Sequence, residues 1–452
     1  MIKDMNKKTA LILIACGFSS SVWALNLTEA YQQALSYDAG WQANQMRYEI
    51  EQKNLGIAKG AVLPTVSVNG SVYKQYQDVD NSSGSMDFGG QQISFINDET
   101  TVRQIALSLR QPLFRVDVWE KYKQVKISNE LADLNLQLQK QNLLLDVAKS
   151  YFNVLRQQSL LSVAQQEEQA LLKQYTMMQA KLKQGFVARM EVGEAHAQYQ
   201  SAVAKRVATD VQYQLAQEKL TQLTGQYQGQ LATLSPAFKF EAPYPASLDE
   251  WMSLAERNNL ELNQNRISYR VAQQQVKIDQ ADYYPQLEAV ATSAWSKQSP
   301  QNVISTDGRN DKIALEMNWT PYNGTRSKII DKSRLSATAA QQDIEVTLRK
   351  IRTDLKSAYL QVATGQSQLQ AYKVAMDSAQ LVSDASQASY NEGLKTMVDV
   401  LLAQRSAFAA RQDYIHAQYD YLLNVLQLKA VSGQLNENDL NELNAWLVAQ
   451  RD

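Results

Sequence analysis

One cysteine and two histidines in 452 residues leave no means of building a disulfide framework or a metal cluster of the usual spacing. Net charge is scarce too: 45 basic against 46 acidic residues give −1, which excludes the basic surface of a nucleic-acid binder. No P-loop, nucleophile elbow or HExxH stretch occurs, so the chain carries no enzyme signature and requires no cofactor. His196 and His416 stand alone on polar helical segments and read as solvated side chains rather than ligands. Beyond the N-terminal segment no apolar run reaches about 18 residues, which excludes a transmembrane helix. Only eight prolines and 17 glycines interrupt the chain, and long stretches contain neither.

What is present begins with an export signal over residues 1–24. Lys7 and Lys8 precede the apolar run Ala10 to Phe18, and small residues lead to expected cleavage after Ala24. Leu13-Ile14-Ala15-Cys16 also fits a lipoprotein cleavage box, in which case Cys16 becomes an acylated N-terminus. Cleavage after Ala24 removes Lys3, Lys7, Lys8 and Asp4, leaving a net charge of −3 and no cysteine, as suits an oxidising compartment.

The chain is an internal duplication. Leu27, Glu29, Ala34, Ile57 and Pro64 recur 221 positions later as Leu248, Glu250, Ala255, Ile278 and Pro285. From Ile105 the offset is 208, taking Asp146, Tyr151, Gly185 and Gly225 onto Asp354, Tyr359, Gly393 and Gly433. The first repeat spans 25–235 and the second 247–433, with a linker at 236–246 and a C-terminal segment, 434–452, that joins the middle of the molecule. Each repeat reads helix, two strands, long helix, helix. The first helix is expected from about Thr28 to Gly60. The first long helix, Arg115 to Gln184, has no proline or glycine and carries Leu131, Leu134, Leu138 and Leu145 on a 3–4 spacing; about seventy residues make a rod of about 100 Å, and the equivalent run Thr325 to Glu392 is nearly as long with only Gly365 inside it. Helices Met190–Thr224 and Met397–Ser432 complete the repeats.

Between first and long helices the period changes to two. Val66, Val68 and Val72 alternate with Ser67, Asn69 and Ser71, and Ile313, Leu315 and Met317 alternate with Ala314, Glu316 and Asn318. Strands are expected at about 63–78, 100–112, 286–297 and 311–320, joined by polar loops over 78–99 and 298–310. Aromatics near their ends, among them Tyr76, Trp295 and Trp319, resemble membrane-interface girdles. Four such strands cannot close a barrel, and an open edge in lipid is not tolerated, so several copies must share one. Three copies give twelve strands above twelve helical columns.

Each long helix ends at a tip. Gly185 and Gly393 occupy left-handed C-cap positions, and Thr396 followed by Asp399 supplies a hydroxyl cap and a first-turn carboxylate. In the first tip the positions of Tyr390 and Lys395 are taken by Leu182 and Val187. Only the second tip therefore offers a phenol and an ammonium, and Glu191 is the best carboxylate for them to reach. First-turn carboxylates such as Glu191 and Asp399 also serve the helix dipole alone, and Tyr390 taken singly fits a packing role.

Four stretches carry a family resemblance: Leu27-Thr28-Glu29-Ala30-Tyr31-Gln32-Gln33-Ala34, Ala148-Lys149-Ser150-Tyr151-Phe152-Asn153-Val154-Leu155, Gly185-Phe186-Val187-Ala188-Arg189-Met190-Glu191-Val192 and Gly393-Leu394-Lys395-Thr396-Met397-Val398-Asp399-Val400-Leu401. Over nearly the whole chain the sequence resembles the TolC family of outer-membrane factors. The resemblance implies a mainly α fold with a small β part, in which a homotrimeric helical barrel in the periplasm continues into a 12-stranded barrel in outer-membrane lipid. It implies an exit duct for efflux or type I secretion, with a periplasmic adaptor and an inner-membrane RND, ABC or MFS exporter as partners. It places Tyr390 on the family's gate tyrosine, Lys395 on its gate arginine, Glu191 on the acceptor aspartate and Asp399 on an aspartate ring at the pore entrance. The sequence departs in Lys395, which lacks the guanidinium fork, in the longer Glu191, and in Leu402 where a second aspartate ring is expected. Two other readings stay open: a periplasmic coiled-coil scaffold and an ungated porin.

Overall fold

The computed structural model describes residues 24–76, 85–89, 91–94, 99–227, 230–235, 238, 244–300 and 305–448. The export signal with Cys16, and much of the linker at 236–246, lie outside these residues. The chain is mainly helical with a small β part, in the order α1 Leu27–Tyr37, α2 Ala39–Gly60, β1 Thr65–Tyr76, β2 Ser85–Phe88, β3 Gln91–Ser94, β4 Glu99–Phe114, α3 Val116–Lys183, α4 Arg189–Thr224, β5 Thr233–Leu234, α5 Leu248–Asn258 and α6 Leu260–Gln280. A 3-10 turn at Ala281–Tyr283 leads to β6 Gln286–Pro300, β7 Thr306–Asn318, α7 Arg326–Asn391, α8 Met397–Val431, α9 Glu437–Asn444 and β8 Leu447–Val448.

The single helix expected over 28–60 is two helices. Asp38 leaves the helical region at φ −63° and ψ 116°, and its carboxylate accepts from the Trp41 backbone N–H at 2.6 Å, restarting the helix as an N-cap. The second repeat breaks at the matching position: Asn259 has φ −61° and ψ 123° and caps the Leu262 N–H at 2.9 Å. The break separates two jobs. α1 buries Leu27, Ala30, Tyr31 and Ala34 in the central core, whereas α2 lies along α3. α4 lies along α3 too, and α6 and α8 lie along α7, so each long helix is flanked by two shorter ones.

The cores sit where these helices meet. Tyr151 is fully buried and its single hydroxyl proton is shared between the carbonyls of Leu25 (2.9 Å) and Ala232 (2.8 Å). Its repeat-mate Tyr359 donates to Ala246, the repeat-mate of Leu25, at 2.5 Å. The C-terminal segment closes this belt, with β8 pairing antiparallel to β5. Glycine permits two close approaches here. A Cβ at Gly365, inside α7, would stand 2.9 Å from Tyr421 of α8, and one at Gly433 (φ 72°) would stand 2.3 Å from the Asn258 carbonyl oxygen.

β1, β4, β6 and β7 form one antiparallel sheet in that order. Register and pleat put Val66, Val68 and Val72, then Ile105, Leu107 and Leu109, then Ala289, Ala291 and Trp295, then Ile313, Leu315 and Met317 on one face. The other face carries Ser67, Asn69, Ser71, Gln104, Ser108, Thr292, Ser296 and Lys312. At its helix end Arg110 and Arg115 both bond Glu288 at 2.6 Å. The apolar face is bare, Ile313 being 91 % exposed.

The strands differ from expectation at their outer ends. β7 starts at Thr306 because Asp307 to Asn310 continue the ladder opposite Lys297 to Ala294, backbone pairing carrying the sheet past its apolar part. The expected loop 78–99 holds a short hairpin, β2 against β3, turned at Gly89 with φ 66°. The rest of that loop lies outside the described residues.

Candidate functional site

At the far end of the helices from the sheet, α3 turns into α4 and α7 into α8. Gly185 (φ 78°) and Gly393 (φ 73°) take the left-handed residue that ends each long helix. The restarts differ. In α8, Thr396 accepts from the Asp399 N–H at 3.2 Å, and the Asp399 carboxylate accepts from the Thr396 N–H at 2.9 Å and hydroxyl at 2.7 Å, a complete capping box. In α4 the N-cap is Ala188, which has no side-chain oxygen to offer. The Thr396 bonds, with the nearby Lys395 ammonium, hold the Asp399 carboxyl below the ordinary aspartate range, so it is ionised and exposed at the tip.

The two tips are fastened to each other within one protomer. Leu171, Met178, Ala195 and Ala202 pack with Met397, Val400 and Leu401. Polar rungs run beside this cluster from α3 to α7. Gln174 donates to Gln387, Lys181 Nζ donates to Tyr390 Oη at 3.0 Å, and the Tyr390 hydroxyl points at Met178 Sδ 3.7 Å away. Lys181 Nζ also stands 4.5 Å from the centre of the Tyr390 ring, within cation–π range. Lys395 donates to Ser386 Oγ at 2.9 Å, back onto its own hairpin.

The structure thus brings Tyr390, Lys395, Thr396 and Asp399 onto one tip and Glu191 into the first turn of α4. Among the described residues it joins neither Tyr390 nor Lys395 to Glu191 within the protomer. The amine on Tyr390 is Lys181 instead, a residue sequence reading passes over. Its signal is the spacing of Gln174, Met178 and Lys181 on α3 against Ser383, Ser386, Gln387 and Tyr390 on α7, two helical faces at i, i+3, i+4 with small or amide side chains where packing alone favours Leu. His196 stacks on Tyr175 at 4.7 Å between centroids, and among the described residues no group of three His, Cys, Asp or Glu side chains is placed to hold a metal.

A family model described as outer membrane efflux protein matches residues 30–226 and again 251–434, the two repeats. The chain belongs to the outer membrane efflux protein family. Relatives of this efflux-family chain include outer membrane protein TolC of Escherichia coli K12, 30% identical over 97% of this chain and 89% of that protein. The alkaline protease secretion protein AprF of Pseudomonas aeruginosa is 24% identical over 94% of this chain and 88% of that protein. Solved structures share the fold: the CmeC outer membrane channel of Campylobacter jejuni superposes with a TM-score of 0.78 at 14% identity, covering 99% of this chain and 98% of that one. The outer membrane protein VceC of Vibrio cholerae gives 0.74 at 16% identity, covering 90% and 96%. The efflux-family relatives are channel proteins rather than enzymes, and like them this chain is an outer-membrane protein.

Proposed function

We propose that the chain is one third of a passive outer-membrane exit duct, serving a tripartite efflux pump or a type I secretion system and closed at its helical tip until a partner opens it. The observation that carries this reading is the four-stranded sheet with one bare apolar face and two open edges, β1 and β7. Unpaired edges cost several kcal/mol per orphaned group in lipid, so neighbouring copies must pair them.

The helices support the same assembly through the internal repeat. Within one protomer α8 seats Ile415, Tyr419 and Leu423 against α3, with Phe152 and Tyr419 rings 6.4 Å apart. The repeat-mates of those α8 residues on α4 are Val207, Val211 and Leu215, all about half exposed; the repeat-mate of Phe152 on α7 is Leu360, exposed as well. A second copy fills both vacant faces by repeating the α8–α3 contact as α4 against its α7. Three copies give twelve strands and a ring of twelve helical columns.

In this reading the lumen follows the polar sheet face and the interior of the helical ring. Cargo moves on energy supplied by an inner-membrane RND, ABC or MFS exporter through a periplasmic adaptor, in keeping with a sequence that carries no P-loop. Tyr390, through Lys181, and Lys395, through Ser386, hold α7 and α8 in the closed position. Glu191, which has no ion pair or side-chain hydrogen bond among the described residues, faces the next copy. Asp399 forms an acidic ring at the entrance, and Leu402 leaves it single. Fractionation with unheated and heated gel electrophoresis tests the assembly. A detergent-resistant, heat-sensitive trimer in the outer-membrane fraction is expected, and a soluble periplasmic rod contradicts it.

A further inference from the structure

The apolar face of the sheet ends asymmetrically. Toward the helices it finishes in Leu113, Met317 and Trp319, all exposed. Toward the loops, the first outward residue past the apolar run is a cation on three strands of four: Lys74 after Val72 in β1, Arg103 after Ile105 in β4, and Lys297 after Trp295 in β6. On β7 it is Asp311 after Ile313, and Arg309 binds that carboxylate at 3.0 Å. Glu99 pairs with Lys74. Arg103 and Lys297 are direct cross-strand partners on the same face, and among the described residues neither has an ion pair or hydrogen bond. Asp307 is opposite Lys297 in register without forming an ion pair to it.

Like charges directly opposite on an antiparallel pair repel, and Arg or Lys on the lipid side of a barrel is tolerated only near the interface. The polar face at the same height holds Gln104 and Ser296 and no charge. Repulsion toward the pore is thus avoided, and a cation pair is kept toward the membrane. An anion bridging the two removes the repulsion, and a guanidinium beside an ammonium matches a phosphate, the fork gripping two oxygens and the ammonium a third. Trp295, next along β6, offers its ring at the level where acyl chains meet head groups.

We propose that Arg103 and Lys297 bind the phosphate of a phosphorylated lipid in the outer leaflet. The proposal rests on the outer-membrane reading, which sets the loop end outside. Three neighbouring copies would carry three such sites, each on the strands of one protomer.

The test uses the intact trimer, stripped of lipid in detergent and titrated with diphosphorylated lipid A, the same lipid with its phosphates removed, or inorganic phosphate, with binding read by native mass spectrometry. The wild type is expected to bind the diphosphorylated lipid about tenfold more tightly than the stripped one. Arg103→Gln with Lys297→Gln should abolish that preference, and the charge-keeping pair Arg103→Lys with Lys297→Arg should retain it. A wild-type trimer with no phosphate preference overturns the site while leaving the duct intact. So does an unchanged preference in the glutamine variant, or displacement of the lipid by inorganic phosphate at equal concentration. Failure of the duct itself is read separately, as loss of the trimer from the outer-membrane fraction.

Discussion

The two tips are backbone duplicates held by different means. Both long helices end in a left-handed glycine 208 residues apart. The second tip then restarts on a capping box between Thr396 and Asp399 and sends Tyr390 and Lys395 into hydrogen bonds. The first restarts on Ala188 without a cap and has Leu182 and Val187 where those polar groups would be. The two copies of one backbone frame thus differ in their fastening, plain packing in the first and polar bonds in the second. The central belt is unequal too: a Cβ on Gly433 would meet backbone first, whereas the atoms nearest one on its mate Gly225 belong to the Tyr37 ring.

The belt gives the largest expected effect. Gly433→Ala adds a left-handed penalty of about 1–2 kcal/mol and a clash with the Asn258 carbonyl of about 1–3 kcal/mol. Gly225→Ala carries the first cost, and its neighbour, 3.0 Å away, is a side chain that can swing aside. Thermal unfolding followed by circular dichroism should therefore place Gly433→Ala well below Gly225→Ala; equal midpoints would break the comparison. At the tips, Thr396→Ala should cost about 1 kcal/mol through the lost cap, and Ala188→Thr should gain a similar amount by forming the missing box with Glu191. Hydrogen exchange at the first turns of α8 and α4 would register the two changes in opposite directions. A gain in neither direction at α4 would show that something other than the cap sets that tip.

The smallest effect concerns Asp399. Asp399→Asn, which keeps a side-chain acceptor at the cap, should weaken block of the pore by multivalent cations added from the tip side. With its folded pKa depressed by Thr396, the carboxylate's contribution to the cap is fully present above the ordinary aspartate pKa and is lost as pH falls through the depressed value. Wild-type block should likewise persist as pH falls through about 4 and vanish only lower. Loss of block near neutral pH would point to a different group.

Much of this was legible beforehand because it follows from periodicity. The two-residue alternation of Val66 to Val72 and Ile313 to Met317 assigns the sheet faces, and the absence of proline and glycine over 116–183 fixes α3. The breaks at Asp38 and Asn259 were missed because helical spacing continues across them. Only the coincidence of two Asx residues at equivalent repeat positions betrays the caps. Lys181 was missed for a different reason: a lysine near a helix C-terminus satisfies the dipole, so nothing in sequence says that it reaches across to Tyr390. The strands of the hairpin β2–β3 are four residues each inside a long polar loop, too short a run for alternation to stand out.

The central claim is a duct closed by the second tip, and single-channel conductance in planar bilayers tests it most directly. The wild type should conduct weakly. Lys181→Ala should raise conductance moderately by freeing Tyr390, and Tyr390→Phe combined with Lys395→Ala should raise it severalfold. Leu182→Ala with Val187→Ala, at the matching places of the first tip, should leave it unchanged. A wild type that already conducts strongly, with the Tyr390 and Lys395 variant no different from it, would contradict the account.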